Sequence, residues 1–176
     1  MNLAPTGKND PVAGLAMMQP ATMNDMPVVR DITAAAYAPY TALLGGPPLP
    51  VTEDYAPRIA RGEVWLRDDG RVVSALAVIE RHADHILIFS LAVSPSFQGQ
   101  GLGITLLRFV DAQAVEWGVP EVRLYTNARM ERNIALYRAL SRLWLSRNGS
   151  QGEPLSARMD ARGYGQARRA DGVRVN

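Results

Sequence analysis

Cysteine is absent from the 176 residues, which excludes disulfides and thiolate metal ligands. Histidine occurs only as His82 and His85, so no dedicated metal site is expected. Lysine occurs only as Lys8; a P-loop, which must end in Gly-Lys-Ser or Gly-Lys-Thr, is therefore excluded. No apolar run approaches the ~20 residues of a membrane helix. The N-terminus lacks the basic region and apolar stretch of a secretory leader. The expectation is a cytoplasmic protein with no membrane partner and no metal.

The length suits one domain with a core of its own. The formal net charge of +2 hides an asymmetry: residues 1–140 sum to −2 and residues 141–176 to +4. The basic character thus belongs to the tail. With no basic helix in the body and few aromatics in the tail to stack on bases, no nucleic-acid partner is expected.

Residues 1–14 are rich in Pro, Gly, Asn and Asp and are expected to be a disordered extension. Residues 15–140 carry the periodic segments, and residues 141–176 form an atypical tail. Leu15–Gln19 reads as a strand. Thr22 with Asp25 resembles a capping box for a helix over Met23–Tyr37. Pro39 and the run Gly45–Pro50 predict a loop, and Thr52 and Gly62 bracket a second helix as N-cap and C-cap. Glu63–Arg67 and Arg71–Glu80 read as strands joined at Asp69-Gly70, the dipeptide of a type I′ hairpin turn. His85–Val93 is the most apolar strand and is expected to be central. A helix over Gly101–Trp117, a strand over Glu121–Thr126 and a helix over Met130–Leu140 complete the order β-α-α-β-β-β-α-β-α. That order predicts an α/β fold: one domain with a mixed, mostly antiparallel sheet flanked by helices.

The segment Val93-Ser94-Pro95-Ser96-Phe97-Gln98-Gly99-Gln100-Gly101-Leu102-Gly103 joins the buried strand to a helix N-terminus. There the first amides are unpaired and the helix dipole is positive, which suits a pyrophosphate. Glycine lets the backbone approach the phosphates because no Cβ intervenes. A dinucleotide fingerprint, Gly-x-Gly-x-x-Gly, fails at Ile104. The spacing that fits is Gln98-x-x-Gly101-x-Gly103. With the preceding Leu91-Ala92-Val93-x-Pro95 and the following Leu106-Leu107, it resembles the acetyl-CoA signature of the GNAT superfamily of N-acetyltransferases. The resemblance spans about Leu15 to Leu140 and includes Ala36-Tyr37-Ala38-Pro39-Tyr40.

The resemblance implies that acetyl-CoA is the co-substrate and an amine the acceptor. It places the pyrophosphate on the amides from Gln98 through Gly99, Gln100, Gly101 and Leu102 to Gly103, with Ile104 beside them. The pantetheine arm would lie along the strand and pair with Leu91, Ala92 and Val93. A second landmark, Leu124 to Tyr137, makes Tyr137 the general acid for the departing thiolate. A phenol near ~10 can protonate a thiolate whose acid is near ~8.5. From the residues alone, Tyr137 reads first as a half-buried core aromatic; the catalytic role comes from the resemblance. Asn133, one helical turn earlier, shares its face and would bond the pantetheine amides. Asn127 is a further candidate, for which a helix-cap role competes.

Many relatives hold a glutamate base on the strand before the glycine turn. Here that strand, His85–Val93, has no acid. Glu53, Asp54, Glu80 and His82 are candidates by chemistry only; a water chain, or capture of an amine already neutral, needs no new residue. The tail also departs from the family. Directly after Leu140 the chain reads Ser141-Arg142, where the family continues with Gly-Phe or Gly-Tyr, and the tail has no alternating apolar run. Reading the possible codons one base later forces glycine at Trp144 and tryptophan at Met159. It also allows a strand-like Arg-Tyr-Arg-Arg-Val-Trp-Met over 154–160, consistent with a frameshifted tail. Residues from 141 onward are expected not to form the two closing strands of the family, leaving the strand at Glu121 without its outer neighbour. The leading expectation is an N-acetyltransferase acting on a primary amine of a small molecule or peptide. The alternative is a non-catalytic acyl-CoA-binding module or an inactive relative. The oligomeric state, a homodimer included, is left open.

Overall fold

A computed structural model describes residues 15–127, 129–131 and 133, together with the strand Ser156–Asp160. Its elements are β1 (Met18–Pro20), α1 (Met26–Leu44), α2 (Leu49–Thr52), α3 (Tyr55–Ala60), β2 (Val64–Asp68), β3 (Val73–Arg81), β4 (His85–Val93), α4 (Leu102–Trp117), β5 (Glu121–Tyr125) and β6 (Ser156–Asp160). Six strands form one sheet in sequence order. Pairing is antiparallel from β1 to β4 and parallel from β4 to β6. The predicted mixed sheet, antiparallel first, is what the chain builds. Among the described residues no helix is long and apolar enough to cross a membrane.

Strand periodicity sends alternate side chains to opposite faces, and each face has its own core. On one face Ala77, Ile79, Ile86, Ile88 and Val122 meet Leu106, Phe109, Val110 and Ala114 of α4. On the other, Leu66, Leu76, Val78 and Phe89 meet Val29, Ile32 and Tyr37 of α1 and Tyr55 and Ile59 of α3. Strand β4 is buried on both sides, as its continuous apolar run predicts.

Several boundaries differ from expectation. The first strand lies at Met18–Pro20 rather than Leu15–Gln19; Pro20 is tolerated because β1 is an edge strand. The first helix passes Tyr37 and runs through Pro39 to Leu44, closing at Gly45 with φ +76°. Proline removes the hydrogen bond to the carbonyl four residues back, but Ala35 and Pro39 are both exposed, so water reaches that carbonyl. The predicted loop contains the short α2. Asp54, not Thr52, caps α3, accepting from the Ala56 amide at 3.1 Å. The Asp69-Gly70 turn is not type I′. Only Gly70 has positive φ, and the Asp69 carboxylate accepts from the amides of Arg71 and Val72, making a longer loop.

The tail requires a correction. Strand β6 pairs in parallel with β5 from Glu121↔Ser156 to Tyr125↔Asp160, so β5 does have an outer neighbour. A ladder is made of main-chain donors and acceptors that any non-proline sequence carries, so the missing apolar alternation does not forbid it. The rest of residues 141–176, the 1–14 extension and residues 134–140 of the expected last helix lie outside the described residues.

A buried cation anchors the α1 face. Arg58, 2% exposed, reaches Glu53 at 2.7 Å, Glu63 at 2.8 Å and Glu80 at 2.9 Å. Its guanidinium lies 3.7 Å from the centre of the Phe89 ring. Burial alone would lower its pKa, but the hydrogen bonds it donates to Glu80 and Glu53 outweigh burial and raise it. Removing one partner of such a cluster strands the others. Arg58→Ala is expected to cost about 3 kcal/mol in urea unfolding, and Arg58→Lys, which lacks the planar fork, should recover only part of this. Burial also pushes the Tyr55 phenol up to about 12 from 10.0. Its folded pKa exceeds the unfolded one, so its contribution is whole below pH 10 and is lost as pH rises toward 12. Melting temperature should therefore fall across that window, and less steeply in Tyr55→Phe.

Candidate active site

Strand β4 leaves one partner before the other. Its pairing with β3 extends to Val93, but its pairing with β5 ends at Ile88↔Leu124. Between Val78↔Ser90 and Ile79↔Ile88 the register shifts, so Phe89 is an extra residue, a β-bulge. Beyond it, residues 89–93 have no partner strand on the β5 side among the described residues. A cavity of about 740 Å³ opens against this stretch, within the range of small-molecule sites.

The glycine turn closes one end of the cavity. Gly99 and Gly101 have φ of +76° and +80°, a region that favours glycine. Gly101 is the N-cap of α4. The Gln98 amide bonds to the Pro95 carbonyl at 3.2 Å and the Ile104 amide to the Gly101 carbonyl at 3.0 Å. Between them the Gln100 amide closes the turn over Gln98 and Gly99, while the amides of Gly99, Gly101, Leu102 and Gly103 donate to no carbonyl among the described residues. The predicted anion cradle, Gln98 to Gly103, thus narrows to four donors at a helix N-terminus. The Gln98 side chain folds back, donating from Nε2 to the Val93 carbonyl at 3.1 Å, and so ties the turn to the end of β4.

Of the residues singled out in the sequence, Leu91, Val93, Gln98, Gly99, Gly101, Leu102, Gly103, Ile104 and Asn133 line this one cavity. Ala92 turns its side chain into the α1-side core. The Gln100 side chain bonds the Ser96 carbonyl at 3.4 Å, off the cavity wall. Asn127 makes a turn, its Oδ1 accepting from the Arg129 amide at 2.9 Å, and does not line the cavity. Tyr137 lies outside the described residues.

None of the candidate bases is at the cavity. Glu53 and Glu80 hold Arg58, Asp54 caps α3, and His82 sits at the β3–β4 hairpin stacked on His85 with ring centres 4.3 Å apart. Among the described residues no cluster of three or more His, Asp or Glu could hold a metal ion.

The stretch from Tyr37 to Thr52 is expected from its sequence to shape the acceptor pocket, but as a loop and with no residue singled out; the structure makes its first part a wall of α1. Tyr37, Pro39, Tyr40 and Leu43 line the cavity, and Tyr40 donates to Asn133 Oδ1 at 3.2 Å. The signal was present: Tyr37 and Tyr40 are three apart, hence on one helical face. Ending the helix before Pro39 concealed it. Replacing Gly101 with valine would force a β-branched residue into positive φ, at about 1–2 kcal/mol, and put a side chain beside the free amides. Gly101→Val is expected to abolish the rise in melting temperature that acetyl-CoA gives the wild type, as read by thermal shift.

The family model of the acetyltransferase (GNAT) family matches residues 30–141. Among solved structures, the ribosomal-protein-S18-alanine N-acetyltransferase of Escherichia coli is 26% identical, with a TM-score of 0.57 over 70% of this chain and 74% of its own. The PaiA N-acetyltransferase of Thermoplasma acidophilum, solved with coenzyme A, is 14% identical with a TM-score of 0.60 over 69% and 86%. A GNAT acetyltransferase of Elizabethkingia anophelis, with acetyl-CoA bound, is 21% identical with a TM-score of 0.52 over 69% and 72%. Among curated proteins none matches significantly. Acetyl-CoA is the co-substrate of this family, and with its glycine turn, its open β4 edge and the matched family model, this chain belongs to the GNAT acetyltransferase family.

Proposed function

We propose that the protein transfers the acetyl group of acetyl-CoA to a primary amine of a small molecule or peptide. The observation that carries this reading is the set of four free amides, at Gly99, Gly101, Leu102 and Gly103, opening onto the edge of β4 that has no partner strand among the described residues. The amides take the pyrophosphate, and the strand edge takes the pantetheine arm as an added strand would be taken. Backbone groups near Leu91 to Val93 polarise the thioester carbonyl. The amine nitrogen attacks that carbon, the C–N bond forms, and the C–S bond breaks as Tyr137 gives its proton to the departing thiolate. Asn133 holds the pantetheine amides. No internal base is assigned: the amine arrives neutral or gives its ammonium proton to water, and the proton that the attacking nitrogen sheds passes to water or to the Tyr137 phenolate, which restores the phenol. A peptide N-terminus is the first acceptor to try. Its amine, near ~7.7–8.0, is far more often neutral at pH 7.5 than a lysine amine near ~10.4, and the Escherichia coli relative is named for an alanine. The reading carries a cytoplasmic location, which a cysteine-free chain suits.

The rival reading, an acyl-CoA-binding module without turnover, draws on the departure of the tail from the family. Acetyl-CoA-dependent thiol release separates the two. A panel of alanine-led peptides, amino acids and polyamines should give release above the hydrolysis blank; binding of acetyl-CoA with no release for any amine favours the module. In an active protein, Tyr137→Phe should leave acetyl-CoA affinity unchanged and lower kcat by about 10²-fold, checked by steady-state kinetics alongside calorimetric binding.

A further inference from the structure

The gap beside β4 has a direction. The strand runs toward the glycine turn, so Val93 lies nearest the free amides, while Ser90 and Leu91 lie deeper, beside Ile88, where β5 closes the gap. At ~3.3 Å per residue, the open stretch is roughly 16 Å long. A thioester whose pyrophosphate sits on the turn therefore presents its acyl carbon at the deep end.

Tyr37 stands at that end. Its phenolic oxygen is 3.2 Å from Ser90 Oγ and 3.4 Å from the Leu91 carbonyl oxygen. The residue is buried, yet it forms part of the cavity wall. Burial raises the phenol's pKa against the opposing hydrogen bond from Ser90, so the group is a neutral hydroxyl at physiological pH. A phenol carries one proton and two lone pairs. The Leu91 carbonyl only accepts, and both separations exceed the ~2.7–2.8 Å usual for O–H···O bonds. The proton goes to one of these partners, and with two lone pairs the oxygen retains acceptor capacity even where Ser90 Oγ donates to it. Filling space alone would be served by phenylalanine.

We propose that Tyr37 binds the acceptor: with its own proton directed at Leu91 or Ser90, the phenolic oxygen accepts an N–H of the incoming amine and holds the nitrogen against the acyl carbon. The phenol removes no proton and forms no covalent bond; it orients. The inference rests on the acetyl transfer proposed above. It requires the acceptor to enter along α1, on the side of the sheet away from α4.

Steady-state thiol release with acetyl-CoA and three probes, an alanine-led hexapeptide, spermidine and phenethylamine, tests it in Tyr37→Phe and Ser90→Ala. Tyr37→Phe should raise KM for the accepted amine about tenfold, the worth of one hydrogen bond. KM for acetyl-CoA should stay within about twofold, and its thermal shift should persist. Ser90→Ala leaves the Leu91 carbonyl to orient the phenol and should raise the acceptor KM less. An unchanged acceptor KM in Tyr37→Phe overturns the inference. So does a fall in kcat alone, which assigns the phenol to the carbonyl oxygen, or a parallel rise in KM for acetyl-CoA. Should Tyr37→Phe fail to fold, an acceptor KM unmoved in Ser90→Ala overturns it. If the wild type releases thiol and Tyr37→Phe is indifferent, only the inference falls; if the wild type releases none with all three probes, the acetyl-transfer reading falls and takes the inference with it.

Discussion

Hydrogen bonds between β4 and β5 run from His85 to Ile88 and stop, while those to β3 continue to Val93. Everything at the site follows from that mismatch. A strand in mid-sheet normally satisfies both edges, and an unpaired buried edge is costly. Among the described residues one edge has no partner strand over residues 89–93, and the bulge at Phe89 bends β4 where its pairing with β5 ends. The open edge is tolerable because it faces a cavity rather than a core, where water or a ligand can complete it. The bulge in turn is held from behind: the Phe89 ring lies under Arg58, and Arg58 is gripped by glutamates from the chain before α3, the start of β2 and the end of β3. Three separate parts of the chain thus converge on the residue that opens the gap.

The glycine turn was legible in the sequence because its chemistry is local. Positive φ at Gly99 and Gly101 and a helix beginning at Leu102 need only neighbouring residues. The central strand was equally plain, since burial on two faces leaves no polar position between His85 and Val93 except Ser90. Where several interactions compete, the sequence said less. Pro39 lowers helix propensity, but exposure of the carbonyl it orphans lets the helix continue. Asp69-Gly70 promised a tight turn, yet the carboxylates of Asp68 and Asp69 capture nearby amides and lengthen it. Glu53 and Glu80 are chemically fit to be bases, but their attachment to a buried arginine is a long-range fact that no spacing announces. The parallel pairing of β6 with β5 is of the same kind: main-chain bonding across the sheet, with no side-chain pattern to advertise it.

The same division explains why the cavity is built as it is. Gln98 bonds the Val93 carbonyl, Tyr40 bonds Asn133, and Arg129 donates to the Leu43 carbonyl at 3.2 Å. Each contact spans two elements at the rim. The cavity is therefore framed by polar contacts at its edges and by apolar side chains such as Leu91, Val93 and Leu106 within. That arrangement suits a long, flexible co-substrate that is charged at one end and carries amides along its arm.

Alternation along β4 has one more outcome. Leu91 and Val93 lean toward α4, while Ser90 and Ala92 lie on the side of α1. The sheet thus insulates two sets of side chains that share a strand but few contacts, and substitutions without common partners add nearly independently. A library confined to α1 and the loop after it would explore new recognition chemistry while the α4 layer keeps its packing. The fold is in this sense modular across its thickness rather than along its length, and diversification of such a chain is least constrained on the helix that the sequence, stopping short at a proline, conceals.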